Sequence, residues 1–344
     1  MTVDRKILQL YYYTGKRYLL KGRRQLKQFI AGKNEQDVRL SRFVQNVTHK
    51  LPNSLLYKSF RNKRIKVNGK RAAADTRLQQ GDVIELYLND EFFVEEKPQA
   101  PKKKKSSLQI VYEDENILVL YKPAHLLCHS DRTGDESLVD LMQHYLIEKG
   151  EYQPENEASF SPAVCNRLDR GTEGLVLAAK NYTALRSLNA IIREDLLRKE
   201  YLCITAGVPP KGRHVAWLRH DERNNKVHVR ANQAEGYKQI ITEVQVVDTY
   251  GPFALCRIGL VTGRTHQIRA HLAFLGAPIL GDIKYGNRRL NEKMKVRGQM
   301  LCAVQVTFHA LGEENPLAYL SGKSFCLEHP KILERFHSLQ KTGT

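Results

Sequence analysis

Asp169 stands between two arginines in Asn166-Arg167-Leu168-Asp169-Arg170-Gly171-Thr172-Glu173-Gly174, just ahead of the apolar run at 175–179. A nearby cation favours the charged form of a carboxylate. A carboxylate held charged beside a flexible turn can serve as a nucleophile. The same residue types also make an ordinary surface ion pair at the start of a buried strand, and in sequence the two look alike. Taken alone, this window favours the ion pair.

Two further windows change that balance. One is Thr262-Gly263-Arg264-Thr265-His266-Gln267-Ile268-Arg269-Ala270-His271-Leu272, followed by Gly276, Gly281-Asp282 and Tyr285-Gly286. The other, lying between, is Arg198-Lys199-Glu200-Tyr201-Leu202-Cys203-Ile204. Together the three windows resemble the RluA-type pseudouridine synthase family. That family has Arg-Leu-Asp followed by Thr-x-Gly-Leu, a Lys-x-Tyr strand start, and Gly-Arg-Thr-His-Gln-Ile/Leu-Arg opening a helix. Three matches in the right order over roughly residues 108–330 carry far more information than one short motif.

The resemblance implies a chemistry. Pseudouridine formation breaks the N-glycosidic bond, rotates the uracil and joins its C5 to the ribose. Reactant and product are isomers, so no cofactor is expected, in line with the lack of a Rossmann or P-loop signature. Asp169 takes the family's catalytic position, as attacker of the sugar or as an aid to ribose deprotonation. Arg269 is implied as its ion-pair partner, with Arg264 as the alternative. Tyr201 is implied to stack on the uracil and to handle the C5 proton. Ile268 would pack on the base from the other side. The target must be flipped out of folded RNA, and Arg167 matches the residue that fills the vacated space; a second ion pair with Asp169 is the plainer role. His266 and His271 invite a metal reading with Asp282, but a spacing of five does not put two ligands on one helical face. They are read as structural or RNA-contacting histidines, with His266, like Arg264, among the substrate-binding candidates and no metal expected. The glycines at 263, 276, 281 and 286 are read as backbone turns.

Charge distribution points the same way. The chain of 344 residues carries a net charge of +18, and residues 1–105 hold 25 Lys and Arg against 10 Asp and Glu, which is +15 of the total. Charge concentrated on one third of a chain indicates a polyanion-binding module; a surface kept only for solubility would mix both signs. No apolar run approaches 18 residues, and no signal-peptide pattern opens the chain, so a cytoplasmic protein with no membrane contact is expected. The six cysteines are far apart and several sit in apolar surroundings, as in Leu126-Leu127-Cys128. They are read as buried free thiols of a reducing compartment.

The basic third has its own rhythm. Leu40, Phe43, Val44 and Val47 recur at helical spacing. Leu51, Leu55 and Leu56 lead to a second short helix, with Asn53 or Ser54 as cap. Residues 61–70 alternate charge with Ile65 and Val67 and turn at Asn68-Gly69, a hairpin signal. Another turn at 78–81 precedes a strand at 82–88. This order resembles the S4 RNA-binding domain, in which Arg61, Lys63, Arg64, Lys66, Lys70 and Arg71 would present cations to phosphates. Ahead of it, Tyr11 to Tyr13 with Lys16, Arg17, Lys21, Arg23 and Arg24 fit either base stacking or an extra strand and helix. The expected domains are a basic extension at 1–37, an S4-like module at 38–94, a Lys/Pro-rich linker at 95–107 and a catalytic domain at 108–338.

After the linker, residues 110–123 read as two strands joined by an acidic turn, 137–146 as a helix, 175–179 as a buried strand and 181–197 as an amphipathic helix. Several strands follow from 201 to 261. The expected class is α+β: a large, mainly antiparallel sheet with packed helices, plus a small α/β module. Departures from the family pattern are Ala124-His125 after Lys122-Pro123, Asn166 for the common His, Glu173 for Ser or Thr, and Cys302 for His. The expected partner is RNA, ribosomal RNA of the large subunit ahead of transfer RNA, acted on by a monomer. An RNA-binding protein without activity is the competing class, though it would have no need of Asp169, Tyr201 and Arg269 together. A hydrolase is weaker still, because no paired carboxylates are visible.

Overall fold

The computed structural model describes residues 17–19, 26–48, 51–93, 107–131, 134–154, 157–296 and 298–342. Tyr11 to Tyr13, Lys16, Lys21, Arg23, Arg24 and the Lys/Pro stretch up to residue 106 lie outside them. The chain divides into two compact units. One takes in the described residues before position 103 with 143–162 and 181–183; the other holds 107–142, 163–180 and the chain from 184 onward.

The first unit is built on β1 (Arg17–Leu19), β2 (Leu26–Ile30), α1 (Leu40–Val47), α2 (Asn53–Arg61), β3 (Ile65–Val67), β4 (Lys70–Arg71) and β5 (Val83–Leu86). Its strands pair antiparallel in the order β1-β2-β5-β3-β4. Leu40, Phe43 and Val44 of α1, at i, i+3 and i+4, are buried in one cluster with Leu56 and Phe60 of α2 and with Phe29, Ile65, Ile84 and Leu86 of the sheet. Burying each such side chain stabilises by roughly 1.5–3 kcal/mol. The cap of α2 differs from the expectation. Pro52 holds the N-cap position, and the Asn53 carboxamide oxygen accepts from Gln45 instead, at 2.9 Å. Between β3 and β4, Asn68 and Gly69 both have positive φ (51° and 74°), which a tight twisted hairpin turn demands. The Asn68 side chain also bonds Asp82 and the Val83 amide, so the turn is tied to β5.

The second unit contains β6 (Gln109–Glu113), β7 (Ile117–Lys122), the start of α3 (Leu138–Glu148), β8 (Ala163–Val164), β9 (Glu173–Ala179), most of α4 (Tyr182–Arg193), β10 (Leu197–Ala206), β11 (Gly212–Asp221), β12 (Lys226–Arg230), β13 (Lys238–Tyr250), β14 (Phe253–Leu260), α5 (Gln267–Phe274), α6 (Arg288–Lys293), β15 (Leu301–Phe308), β16 (Ser324–Cys326) and α7 (Lys331–Thr342). Eleven strands form one sheet, ordered β12-β11-β13-β14-β10-β15-β9-β7-β6, with β16 on β15 and β8 on β9. Its pairs are antiparallel except β15 with β9. All seven residues of β9 are buried: the apolar run Leu175 to Ala179 as expected, and with it Gly174 and the Glu173 carboxylate at its start. Three clusters anchor the helices: Ala184, Leu188 and Ile191 of α4 pack with Leu175, Leu177 and Phe308; Ile332 and Phe336 of α7 with Leu202, Ile204 and Val304; and Ala270 of α5 with Ala216, Leu218 and Ile240.

Two expectations are corrected here. The helix read as 181–197 stops at Arg193, because Asp195 adopts φ 55° and the Leu196 amide bonds back to Ile191 at 2.9 Å. Leu197 then opens β10. The cysteines are free thiols, but they are not all buried: Cys326 is exposed on the short strand β16 and Cys165 is half-buried.

Candidate active site

Asp169 lies on the loop between β8 and β9, and backbone acceptors fix that loop. The Lys122 ammonium, fully buried at the end of β7, donates to the carbonyls of Pro123, Leu126 and Arg170 at 2.9, 2.8 and 3.3 Å. Its burial pulls it down to about 8. The His125 amide donates to the Arg170 carbonyl at 2.7 Å and the Thr172 amide to that of Asp169 at 3.0 Å. Gln299 holds Thr172 through their side chains.

The cation bonded to Asp169 comes from α5, not from the flanking arginines. Arg269 Nη1 donates to Asp169 Oδ2 at 2.8 Å. Arg170, exposed, pairs instead with Asp135 at 2.9 Å. Arg264 is exposed at the start of the α5 turn, where its amide donates to Gln267 Oε1. Gln267 also bonds Thr262, Thr242 and the Ile241 carbonyl, which pins the first turn of α5.

The opposite edge of Arg269 belongs to Asp282. Nε donates to Asp282 Oδ2 at 2.6 Å and Nη2 to Oδ1 at 3.0 Å, a bidentate grip. These bonds hold the Asp282 carboxyl below the usual carboxylate range against its burial. The Tyr285 ring lies 5.3 Å from the guanidinium carbon. Gly281, at φ 80°, admits the turn: a Cβ there would collide with the Gly298 carbonyl oxygen.

His266, at φ 54° just before α5, sets Nδ1 2.9 Å from the Tyr285 hydroxyl and Nε2 3.7 Å from Asp169. Burial pulls its pKa below the ordinary value, opposed by the charge of Asp169. His271 faces elsewhere, with Nδ1 2.9 Å from Thr242 Oγ1. The two histidines and Asp282 therefore do not converge as a ligand set.

Asp169, Arg167, Tyr201, Arg264, His266, Ile268 and Arg269 share one recess. Tyr201 and Ile268 are buried in its wall, 7% and 5% exposed. Burial, and then the charge of Asp169, raise the Tyr201 phenol, so it stays protonated. A larger cleft shares Arg167, Asp169, His266 and Arg269 with the recess and adds Arg170, Lys284 and His129. The six basic candidates of the first unit are remote in sequence and sit around the α2 terminus and the β3–β4 hairpin. Arg61, Lys63, Arg64, Lys70 and Arg71 are exposed; Lys66 is half-buried over the Tyr87 ring. The sequence reading missed Lys122 and Tyr285, and took Asp282 only as a metal candidate. The signal for Asp282 was a carboxylate beside the apolar stretch 277–280, which burial obliges to find a cation.

Residues 116–274 match the RNA pseudouridylate synthase family model. An uncharacterized RNA pseudouridine synthase of Mycoplasma capricolum subsp. capricolum is 32% identical over 315 residues, covering 90% of this chain and all of that protein. The chain belongs to the RluA-type pseudouridine synthase family. This synthase is also similar to ribosomal large subunit pseudouridine synthase C of Vibrio cholerae, at 32% identity over 74% of this chain and 78% of that one. The human RNA pseudouridylate synthase domain containing 4 shares the fold, with TM-score 0.53 and 22% identity over 67% of this chain and 93% of that one.

In the synthase, the departures from the family pattern have structural partners. Asn166 Oδ1 accepts the Leu177 amide at 2.7 Å. Glu173 is aligned with Cys302 across β9 and β15. Its buried carboxylate takes Arg335 of α7 at 2.8 Å and the Tyr121 hydroxyl at 3.1 Å. It thus ties the C-terminal helix to the sheet.

Proposed function

We propose that this pseudouridine synthase isomerises uridines of large-subunit ribosomal RNA, with Asp169 as the catalytic carboxylate, Arg269 as its cation and Tyr201 against the uracil. The observation that carries this reading is the 2.8 Å Arg269–Asp169 bond in a recess walled by Tyr201 and Ile268. The two buried side chains in the wall suit the faces of a uracil, and the carboxylate in the same recess suits the sugar. Asp169 either attacks the sugar as the base leaves or assists deprotonation of the ribose. In both routes the glycosidic bond to N1 breaks, a bond from C5 forms, C5 loses its proton and N1 gains one. Atoms and electrons balance without a cofactor.

A target inside folded RNA has to be flipped out to reach this recess. Arg167, exposed at the border of recess and cleft, is the residue we assign to the vacated stack. We assign the first unit to RNA binding as an S4-like module. Support comes from its helix-helix-hairpin-strand order and from the exposed Arg61, Lys63, Arg64, Lys70 and Arg71, with the half-buried Lys66 as a sixth phosphate contact. Large-subunit RNA is chosen because the Vibrio cholerae relative is named for it. The limits read from sequence, 38–94 for the module and 108–338 for catalysis, we extend to include β2, which pairs with β5 and puts Phe29 in the module's core, and the end of α7.

Mapping pseudouridines in total RNA from cells with and without the gene tests this assignment. Loss of one or more sites in large-subunit RNA is expected, restored by the wild-type gene and not by Asp169→Asn. Loss confined to transfer RNA would reassign the substrate, and restoration by Asp169→Asn would remove Asp169 from the chemistry.

A further inference from the structure

Ile283 is the most exposed large apolar side chain among the described residues, at 87%; the next, Ile30, is 59% exposed. A lone apolar residue on a surface needs no explanation by itself. This one differs in where it stands. It lines the same cleft as Asp169 and Arg167, and the chemistry at Asp169 makes no use of it.

The turn that carries Ile283 is held on both sides. Asp282 Oδ1 accepts the amides of Lys284 and Tyr285 at 2.8 and 3.0 Å. The Asp282 carbonyl accepts the Gly286 amide and Asn291 Nδ2, each at 3.1 Å. The Tyr285 hydroxyl accepts the Val227 amide at 2.8 Å. Lys284 Nζ donates to the Asn225 carbonyl, a neutral acceptor that leaves the charge available to phosphate. A β-branched side chain, stiff at χ1, therefore projects from a fixed backbone. Such a side chain loses little freedom when a ligand covers it.

The cleft suits a nucleic acid. Arg167 and Lys284 border it, and an apolar tip beside cations matches a base beside phosphates. Isoleucine is among the side chains that wedge against opened base steps. When a uridine leaves its stack, each neighbouring base exposes a face. Arg167 is assigned to the vacated place, and it leaves an apolar face of a neighbour to be covered.

We propose that Ile283 packs on a nucleobase next to the flipped uridine and so holds the strand open while Asp169 acts. The inference rests on the flipped target and on the assignment of Asp169 proposed above.

The test uses the full chain and the RNA species it modifies, isolated unmodified from cells lacking the gene. Single-turnover rates at saturating enzyme, and filter-binding affinity across salt, are measured for wild type, Ile283→Ala, Ile283→Leu and Asp169→Asn. Ile283→Ala is expected to slow pseudouridine formation by about tenfold, within the range lost when a stacking side chain is removed. Its log–log salt slope is expected to stay within about 0.3 of wild type, since no phosphate contact is lost. Ile283→Leu keeps the apolar contact and is expected to restore the rate to within threefold. An Ile283→Ala rate within twofold of wild type would overturn the proposal, whatever the oligomeric state of the variant. So would Ile283→Leu as slow as Ile283→Ala. A slope flattened by about 0.7 or more would also overturn it, because the change would then act through the Lys284 charge. An active Asp169→Asn enzyme would instead overturn the assignment on which the proposal rests.

Discussion

The recess and the β3–β4 hairpin use cations in opposite ways. At the recess, Arg269 is buried and bonded on both edges by carboxylates. On the hairpin, Lys70 and Arg71 stand exposed. Buried charge in a low-dielectric setting interacts strongly and holds geometry, while exposed charge is weak, screened by salt and additive over many contacts. The first arrangement suits a step that depends on fractions of an ångström. The second suits holding a long polyanion whose local shape varies.

The largest expected effect breaks the buried side. Asp169→Asn removes the charge with little change of shape, so pseudouridine formation should fall by more than about 100-fold while RNA affinity stays within a few-fold. Product counting on a transcript and a filter-binding titration measure the two; activity within tenfold of wild type would exclude Asp169. Next, Arg269→Ala should inactivate and also destabilise by about 3–5 kcal/mol, because Asp282 is left buried without its cation. Denaturant unfolding reads the second effect. A loss below about 1 kcal/mol would mean that water or another cation reaches Asp282.

What the sequence disclosed divides along similar lines. Signals written in short spacing could be read: the i, i+3, i+4 face of α1, the Asn68-Gly69 turn, the apolar strand β9. The motif residues Asp169, Tyr201, Ile268 and Arg269 could be named, and they do share one recess. Pairings set by tertiary distance could not be read from local spacing. Adjacency in sequence points Asp169 to its flanking arginines; only the family resemblance implied Arg269, the bonded cation 100 residues away. Lys122 grips a carbonyl 48 residues on. The end of α4 was misplaced because Asp195 takes a left-handed conformation that a non-glycine residue seldom advertises. The exposure of Cys326 depends on its place on the short strand β16, which apolar context alone does not reveal.

A third prediction sharpens the contrast with a buried group held neutral. His271 is 1% exposed, and burial lowers its pKa to about 4 from 6.5. Above pH 6.5 both folded and unfolded states leave it neutral. As pH falls below 6.5 the unfolded chain takes up the proton first, so stability is lost down to about pH 4 and no further from this group. The loss attributable to His271 is about 3 kcal/mol. His271→Asn keeps a polar atom for Thr242 and does not titrate. The difference in unfolding free energy between pH 7 and pH 4 should therefore be smaller in the variant by about that amount. Equal pH dependence in the two proteins would show that His271 opens to water on protonation.

The smallest effect concerns the exposed side. Replacing Lys63, Lys70 and Arg71 by Ala removes three exposed cations from the α2 terminus and the hairpin. None is bonded into the core, so folding should be unchanged within about 0.5 kcal/mol. If each contacts a phosphate, the log–log dependence of RNA affinity on salt should flatten by about 0.7–0.9 per contact, or roughly two units for the triple variant. Affinity should fall most at low salt, where released counterions contribute most, and the two proteins should converge as salt rises. The single-turnover rate on saturating RNA should match wild type, since Asp169, Tyr201 and Arg269 are intact. A salt slope equal to wild type would show that these cations do not meet phosphate, and the basic charge of the first unit would then serve solubility. A slower single-turnover rate with an unchanged slope would break the comparison itself, because exposed charge on the hairpin would then be setting geometry in the recess.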